Sequence, residues 1–164
     1  MNIKRLFAMQ NDLNTRIVKE HRLEDVNLSK QRRLAFLVEL GELANETRCF
    51  KYWSKRPASE KEIILEEYVD GLHFVLSIGL ELSFTEVKIL DEVKLQQKMD
   101  KLEINELFLS LYQLGAKPLS AEEFTLFFEE FLCLGVKLAF SFDEIETAYL
   151  DKNAVNHERQ DIGY

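Results

Sequence analysis

Glycine and proline are scarce in this 164-residue sequence, which has six and two of them respectively. Tight turns depend on these residues, so their scarcity argues against a β-sandwich or a barrel with many turns. Hydrophobic residues make up 46% of the chain and charged residues 30%, so the chain can bury a core and is not a disordered protein. We expect residues 1–164 to form a single all-α domain.

The sequence has only two cysteines and no long apolar run. Cys49 and Cys133 form no CxxC or Cys/His motif, which predicts reduced thiols rather than a metal site. The N-terminus has no apolar segment of the kind found in signal peptides. The uncharged run Gly71–Leu80 is too short to cross a bilayer, since a span takes about 20 residues. These absences predict a cytoplasmic protein without a membrane partner.

Basic residues are outnumbered, since 21 Lys and Arg face 29 Asp and Glu and give a formal net charge of -8. Proteins that bind nucleic acids normally carry a basic excess, so we expect no stable nucleic-acid binding. An acidic protein can still bind a small anion where it concentrates its cations or holds a metal ion.

Hydrophobic periodicity and helix-end signals predict a bundle of five or six helices. We predict helices over about residues 3–20, 27–46, 59–82, 120–137 and 141–160, with one or two more between 83 and 114. Ser59 and Ser120 are predicted N-caps, because a Glu follows each three residues later and completes a capping box. Ser141 or Asp143 is predicted to cap the last helix. Residues 115–118 predict a helix end.

Two segments are more apolar than one face of a small helix requires, Gly71–Leu80 and Phe124–Phe131. Surplus apolar surface on a soluble protein marks an interaction site. We therefore expect a second copy of the chain to cover part of this surface in a homodimer.

Four carboxylates recur at helical spacing on the second and third predicted helices, Glu39 with Glu42 and Glu67 with Asp70. Residues three apart lie side by side on a helix, so packing of the two helices would bring all four together. Converging carboxylates repel unless a cation lies between them, and Mg²⁺ prefers oxygen ligands. Two alternatives to a metal site are that the carboxylates lie on solvated helix faces or that they form a salt bridge. The apolar residues around Glu67 and Asp70 argue against solvated faces, because a buried charge needs a positively charged partner.

The C-terminal segment carries an ammonium, an amide and a guanidinium on one helix face, from Lys152, Asn156 and Arg159. These groups are suited to phosphate oxygens, and Tyr164 adds a hydroxyl beyond them. A frayed, solvated terminus is the alternative. If the segment binds phosphate, residues 152–164 should be mobile without ligand and fold back over the carboxylates when a nucleotide binds.

Taken together, these motifs resemble the all-α nucleoside triphosphate pyrophosphohydrolase superfamily, and within it the dimeric dUTPases. In that superfamily an acidic quartet from two helices binds Mg²⁺. Met9–Asn14 resembles the first-helix motif for base and sugar recognition, Phe50–Ser54 resembles the tryptophan loop, and Tyr149–Tyr164 resembles the phosphate-binding motif. Residues 82–140 carry no motif that can be mapped onto the family.

The resemblance implies hydrolysis of dUTP, and also of dUDP, to dUMP by a Mg²⁺-dependent homodimer with its active site near the subunit interface. For dUTP the second product is pyrophosphate. The residues implied as Mg²⁺ ligands are Glu39, Glu42, Glu67 and Asp70. We assign Glu42 as the general base, with Glu39 as the second catalytic carboxylate. Lys152 and Arg159 would neutralise charge on the leaving pyrophosphate, while Asn156 and Tyr164 would orient the phosphates.

Recognition of uracil is predicted for the first helix, where Gln10 and Asn14 lie four residues apart. An amide offers a donor and an acceptor, which match the O4 acceptor and the N3–H donor of uracil. Cytosine reverses this pattern. Trp53 would stack on the base, and Phe74 follows the second carboxylate pair by one turn. His73 is a further candidate for substrate binding, with a structural histidine as the alternative.

Two rival functions remain open from the sequence. A sister pyrophosphohydrolase would prefer another nucleotide, such as dCTP or a damaged nucleotide. A non-catalytic helical adaptor would have lost its acidic residues, but all four carboxylates and both cations are present. The sequence therefore favours an enzyme over an adaptor.

Overall fold

The structure is a computed structural model that describes residues 1–85, 95, 97 and 102–163. Regular secondary structure in these residues is entirely helical, which confirms the all-α prediction. Six helices have defined bounds: α1 (Ile3–Glu20), α2 (Ser29–Thr47), α3 (Lys61–Glu81), α4 (Ile104–Gly115), α5 (Ala121–Lys137) and α6 (Phe142–Asp161). The further helix predicted upstream of α4 falls mostly outside the described residues.

Helix α3 is the centre of the bundle. It packs against α1, α2, α5 and α6, while α4 packs against α2 and α5. Because α3 is surrounded, it is buried on nearly all sides through the segment Gly71–Gly79, where only Phe74 is partly exposed. A helix that is apolar all round is typical of such a central position.

The apolar surplus predicted for a dimer interface is used inside the chain. The aromatic side chains of α5 are fully buried in the core, namely Phe124, Phe127, Phe128 and Phe131. They lie against small residues of α3, since a Cβ at Gly79 would come within 2.5 Å of the Phe124 ring. Both segments are therefore buried among the helices of one protomer, and the surplus surface from which a dimer was predicted is not found there.

Helix starts were predicted correctly at two of three capping signals. The Ser120 and Ser141 side chains each accept a hydrogen bond from the backbone N–H three residues on, and both capping boxes are complete. Ser59 is not an N-cap, because α3 begins after Glu60 with no side-chain cap. Instead, the Ser59 hydroxyl donates to the Glu46 carboxylate, and its backbone N–H donates to the Glu46 carbonyl. These bonds tie the loop before α3 to the end of α2.

None of the helices in the described part of the chain is long and apolar enough to cross a membrane. Neither cysteine forms a disulfide, and Cys133 is buried while Cys49 is half-buried.

Candidate active site

Three carboxylates converge between α2 and α3. Oxygen atoms of Glu39, Glu67 and Asp70 lie within 4.8 Å of one another. Glu67 and Asp70 project from adjacent turns of α3, and Glu39 faces them from α2, the helix with the most extensive contact to α3. Glu42 is exposed and lies outside this tight group, although its charge acts on both Glu39 and Glu67. We call Glu39, Glu67 and Asp70 the acidic cluster.

Burial and mutual repulsion oppose ionisation in the acidic cluster. Burial raises the pKa of Glu39 to about 7, and the charges of Asp70, Glu42 and Glu67 add to this effect. Burial likewise raises the pKa of Glu67 to about 7, with repulsion from the neighbouring carboxylates as the second cause. Burial also raises the pKa of Asp70. Close, partly buried carboxylate oxygens of this kind fit a hard divalent cation.

Lys152 reaches the edge of the acidic cluster from α6. Its ammonium lies 2.7 Å from Asp70 Oδ2 and 2.9 Å from Glu66 Oε1. Within the described residues, Glu39 and Glu67 form no ion pair of this kind. Lys152 therefore balances charge at Asp70, on one side of the acidic cluster.

A cleft of about 250 Å³ extends from the acidic cluster between α1, α3 and α6. Twelve residues line it: Gln10, Leu13, Asn14, Ile17, Glu39, Asp70, His73, Phe74, Ser77, Asn156, Arg159 and Gln160. Eight of these were singled out from the sequence, and they come together from four different helices, α1, α2, α3 and α6. An apolar wall with a few convergent polar groups is typical of a small-molecule site.

His73 forms part of the inner wall of this cleft and is neutral. Burial is the main cause that lowers the pKa of its imidazole to about 3, and the nearby Lys152 charge is the second. The ring stacks on Tyr149 of α6 with centroids 4.3 Å apart. Such a histidine can serve as a hydrogen-bonding group but not as a cation at neutral pH.

The C-terminal part of α6 lies along α1. Arg16 donates to the Asp161 carboxylate at 2.5 Å and to the His157 carbonyl at 3.0 Å. His21 lies 3.1 Å from Gln160 Oε1. These contacts hold Asn156 and Arg159 at the cleft. Tyr164 lies outside the described residues, and ligand-dependent mobility of residues 152–164 stays a prediction.

Trp53 does not reach the cleft. Its side chain is 65% exposed and packs edge-on against Phe50 and Tyr52 in the loop between α2 and α3. The loop is tied to the far end of α2, since Arg48 donates to the Ser54 hydroxyl. The structure therefore does not bring Trp53 to the residues predicted to hold the base.

Several cleft and cluster residues were missed in the sequence. Ser77 was counted as part of the uncharged run Gly71–Leu80 and was given no role. It lies one turn after His73 and is the other polar side chain of that run. Glu66 was passed over in favour of its neighbour Glu67. Leu13 and Gln160 lie within the two motifs that resemble the family but were given no individual role, and Ile17 carries no chemical signal of its own.

A helical bundle that sets an acidic cluster beside a cleft with cationic and amide groups has the architecture of an all-α hydrolase for a phosphorylated substrate. The sequence model of the dUTPase family matches residues 2–164 of the chain. The chain therefore belongs to the dUTPase family and is a dUTP diphosphatase, a hydrolase. No curated protein gives a significant match to the chain.

Proposed function

We propose that the chain hydrolyses dUTP to dUMP and pyrophosphate in a Mg²⁺-dependent reaction at the acidic cluster, and that it also hydrolyses dUDP to dUMP. The observation that carries this proposal is the convergence of Glu39, Glu67 and Asp70 at the mouth of a cleft that also contains Arg159. We place this activity in the cytoplasm.

The acidic cluster with Glu42 is the set of residues that would hold Mg²⁺. When bound, the ion would neutralise these carboxylates, polarise phosphate oxygens and make an attacking water more acidic. Glu42 is exposed and outside the tight group, so its oxygens are available to accept the proton from that water. Glu39 faces the same space and assists as the second carboxylate.

Cations from α6 would face the phosphates. Arg159 and Asn156 line the cleft, while Lys152 lies at the acidic cluster. In our proposal Lys152 and Arg159 neutralise charge on the departing pyrophosphate, and Asn156 and Tyr164 orient the phosphates. Donors held in place before the reaction stabilise developing charge without the cost of reorganisation.

The base would occupy the inner part of the cleft. Phe74 and Ile17 supply apolar contact, while Asn14 and His73 supply polar atoms. Gln10 also lines this end and is proposed to act on the base through its neighbours. The stacking assigned to Trp53 would require its loop to move toward the cleft.

A substrate panel tests this function. We expect kcat/KM for dUTP to exceed that for dCTP, dTTP and UTP, with dUDP as an additional substrate, and no turnover of any of them in excess EDTA. Pyrophosphate release is measured with purified full-length protein at millimolar Mg²⁺. A preference for dCTP would identify a sister pyrophosphohydrolase instead, and no turnover of any nucleotide would favour an adaptor.

We further propose that the protein works as a homodimer. Large apolar side chains are exposed along α2 and the adjacent α4, where Leu34 is 64% and Leu109 62% exposed. Val38 is also exposed one turn after Leu34. Exposed apolar side chains on two packed helices form a surface that a second copy can cover. We call Leu34, Val38 and Leu109 the α2–α4 surface.

Substitutions on the α2–α4 surface should produce a monomer. We expect wild type to sediment at about twice 19.3 kDa at micromolar concentration, and the Leu34→Glu/Val38→Glu double variant to sediment as a monomer, because charges would be buried in the interface. Leu126→Glu is the matched control, since Leu126 is an exposed leucine on α5. A monomeric wild type would refute the dimer, and a dimeric double variant would place the interface elsewhere.

A further inference from the structure

Arg16 of α1 binds both its own helix and the end of α6. Its Nε–H donates to Glu20 Oε1 at 2.8 Å, which fixes the orientation of the guanidinium on α1. One terminal nitrogen donates to the His157 carbonyl at 3.0 Å, and the other donates to Asp161 Oδ1 at 2.5 Å. A planar guanidinium that donates in several directions holds its partners in one geometry. We call these four residues the Arg16 cluster.

The last two turns of α6 have little apolar packing. None of the residues of α6 after Asn153 is buried, and Val155, the one large apolar side chain among them, is 42% exposed. A helix end without buried side chains frays unless other contacts hold it. The Arg16 cluster supplies such contacts, together with His21, which lies 3.1 Å from Gln160 Oε1.

The segment held in this way carries polar groups of the cleft. Asn156, Arg159 and Gln160 line the cleft from α6, and Arg159 Nη1 lies 3.5 Å from Asn156 Oδ1. His157 and Asp161 each follow a cleft residue by one position, which is a rotation of about 100° around the helix axis. The Arg16 cluster therefore occupies the face of α6 beside the cleft-lining face, and it sets the rotation and the axial position of that face.

We propose that Arg16 is a positioning residue for the phosphate-binding part of α6. By docking residues 156–161 on α1 before a nucleotide binds, it places Arg159 and Asn156 where the phosphates will lie. Arg16 does not line the cleft itself, so it acts through these two residues. The inference rests on the proposed dUTP hydrolysis, and it replaces the ligand-free mobility that the sequence predicted for residues 152–161 with a docked segment.

Turnover should depend on the Arg16 cluster much more than folding does. The Arg16 side chain is 27% exposed and that of Asp161 is 64% exposed, and ion pairs at a protein surface change the free energy of unfolding only slightly. Catalysis is more sensitive to position, because a displacement of about 1 Å can reduce the rate about 100-fold. A loss of activity in a variant that keeps its stability is therefore the expected signature.

Hydrogen exchange of the free protein tests the docking directly. In full-length wild type without nucleotide, we expect the amides of residues 157–161 to be protected. Arg16→Ala should remove this protection and leave the exchange of residues 145–153 unchanged. Asp161→Asn weakens the same contact from the α6 side and should also accelerate exchange in residues 157–161. Unprotected amides in the free wild type, or the same exchange in wild type and Arg16→Ala, would overturn the proposal.

Arg5→Ala is the matched control for Arg16→Ala. Arg5 is also an arginine of α1 that faces a carboxylate of α6, since its Nη1 lies 3.9 Å from Glu146 Oε1. This contact lies near the start of both helices, and neither residue lines the cleft. The control variant should therefore keep the wild-type protection of residues 157–161.

A double-mutant cycle tests whether Arg16 acts through Arg159. Arg16→Ala alone should reduce kcat/KM for dUTP by roughly 10- to 100-fold. In the Arg159→Ala background the same change should have a much smaller effect, because the main group that Arg16 positions is already absent. Arg5→Ala should leave turnover unchanged in both backgrounds. The same reduction factor for Arg16→Ala in both backgrounds would show that Arg16 does not act through Arg159 and would overturn the proposal.

The two proposals can fail separately. A wild type that hydrolyses dUTP, together with an Arg16→Ala variant of equal activity, would refute the role of Arg16 and leave the proposed function intact. A wild type that hydrolyses no dUTP would refute the proposed function itself, and hydrogen exchange would still decide whether Arg16 docks the end of α6.

Discussion

Glu39→Gln and Glu67→Gln should each reduce kcat/KM for dUTP by at least about 100-fold at millimolar Mg²⁺. Both residues belong to the acidic cluster, and loss even of a group that only orients a metal ligand costs 10- to 100-fold. Each glutamine keeps the shape of the side chain while removing its charge. Steady-state release of pyrophosphate is the measurement, and Glu24→Gln, a change of an exposed glutamate between α1 and α2, is the matched control. Near-wild-type activity of either cluster variant would remove that residue from the proposed ligand set.

The stability of the Glu39→Gln variant provides a check that its fold is intact. The pKa of Glu39 is about 7 in the folded protein against an ordinary 4.5, so the folded state holds the proton more tightly than the unfolded state. Ionisation of Glu39 therefore destabilises the metal-free protein as pH rises from about 4.5 to 7. The glutamine variant lacks this cost, so its Tm in EDTA should exceed that of wild type by more at pH 8 than at pH 5. An equal difference at both pH values would contradict the placement of Glu39 in a repulsive cluster.

Arg159→Ala should reduce kcat/KM for dUTP by roughly 100- to 1000-fold. This is the usual effect of removing one hydrogen-bond donor that stabilises charge developing in the transition state. Arg159 lines the cleft from α6. We expect the affinity for dUMP to weaken much less, because dUMP has lost the phosphates that Arg159 is proposed to contact. Comparison of steady-state kinetics with calorimetric titration of dUMP separates the two effects.

The control for Arg159→Ala is Arg5→Ala, which removes the same charge from an exposed side chain on α1. Arg5 lies outside the cleft, so its variant should retain wild-type turnover. Equal losses of dUTP turnover and dUMP affinity in Arg159→Ala would show that Arg159 acts on the nucleoside part. Full activity would remove it from the phosphate site.

Local signals in the sequence were sufficient for most of the fold. The Ser-x-x-Glu signal at Ser120 predicted the start of α5, and Ser141 was one of the two caps predicted for α6, because these capping side chains bond within their own turn. Ser59 has the same pattern, but its hydroxyl found a carboxylate thirteen residues away, on Glu46. A capping signal fails when a tertiary partner competes for the same side chain.

Contacts between distant segments could not be predicted in the same way. The apolar run on α3 was expected to need a partner chain, but the glycines of α3 accept the phenylalanines of α5 within one protomer. Gln10 was expected to address the base directly. Its carbonyl instead bonds to Tyr149 and His73, which are 139 and 63 residues away in sequence.

The acidic cluster shows what spacing alone can predict. The three-residue interval between Glu67 and Asp70 placed both on one face of α3, and Glu39 meets them from α2. Glu42 follows Glu39 by the same three-residue interval but lies outside the acidic cluster. Spacing in the sequence determines which face of a helix a residue occupies, but it does not determine the conformation of the side chain. Catalytic and binding roles of these residues stay predictions until the variants are measured.

The most direct test of the account is ³¹P NMR of dUTP incubated with the full-length protein, with Mg²⁺ and with excess EDTA. The account predicts that dUMP and pyrophosphate appear in equal amounts with Mg²⁺, that no dUDP accumulates, and that dUTP stays intact in EDTA. Release of orthophosphate together with dUDP, or the same product formation in EDTA, would contradict a Mg²⁺-dependent pyrophosphohydrolase at the acidic cluster.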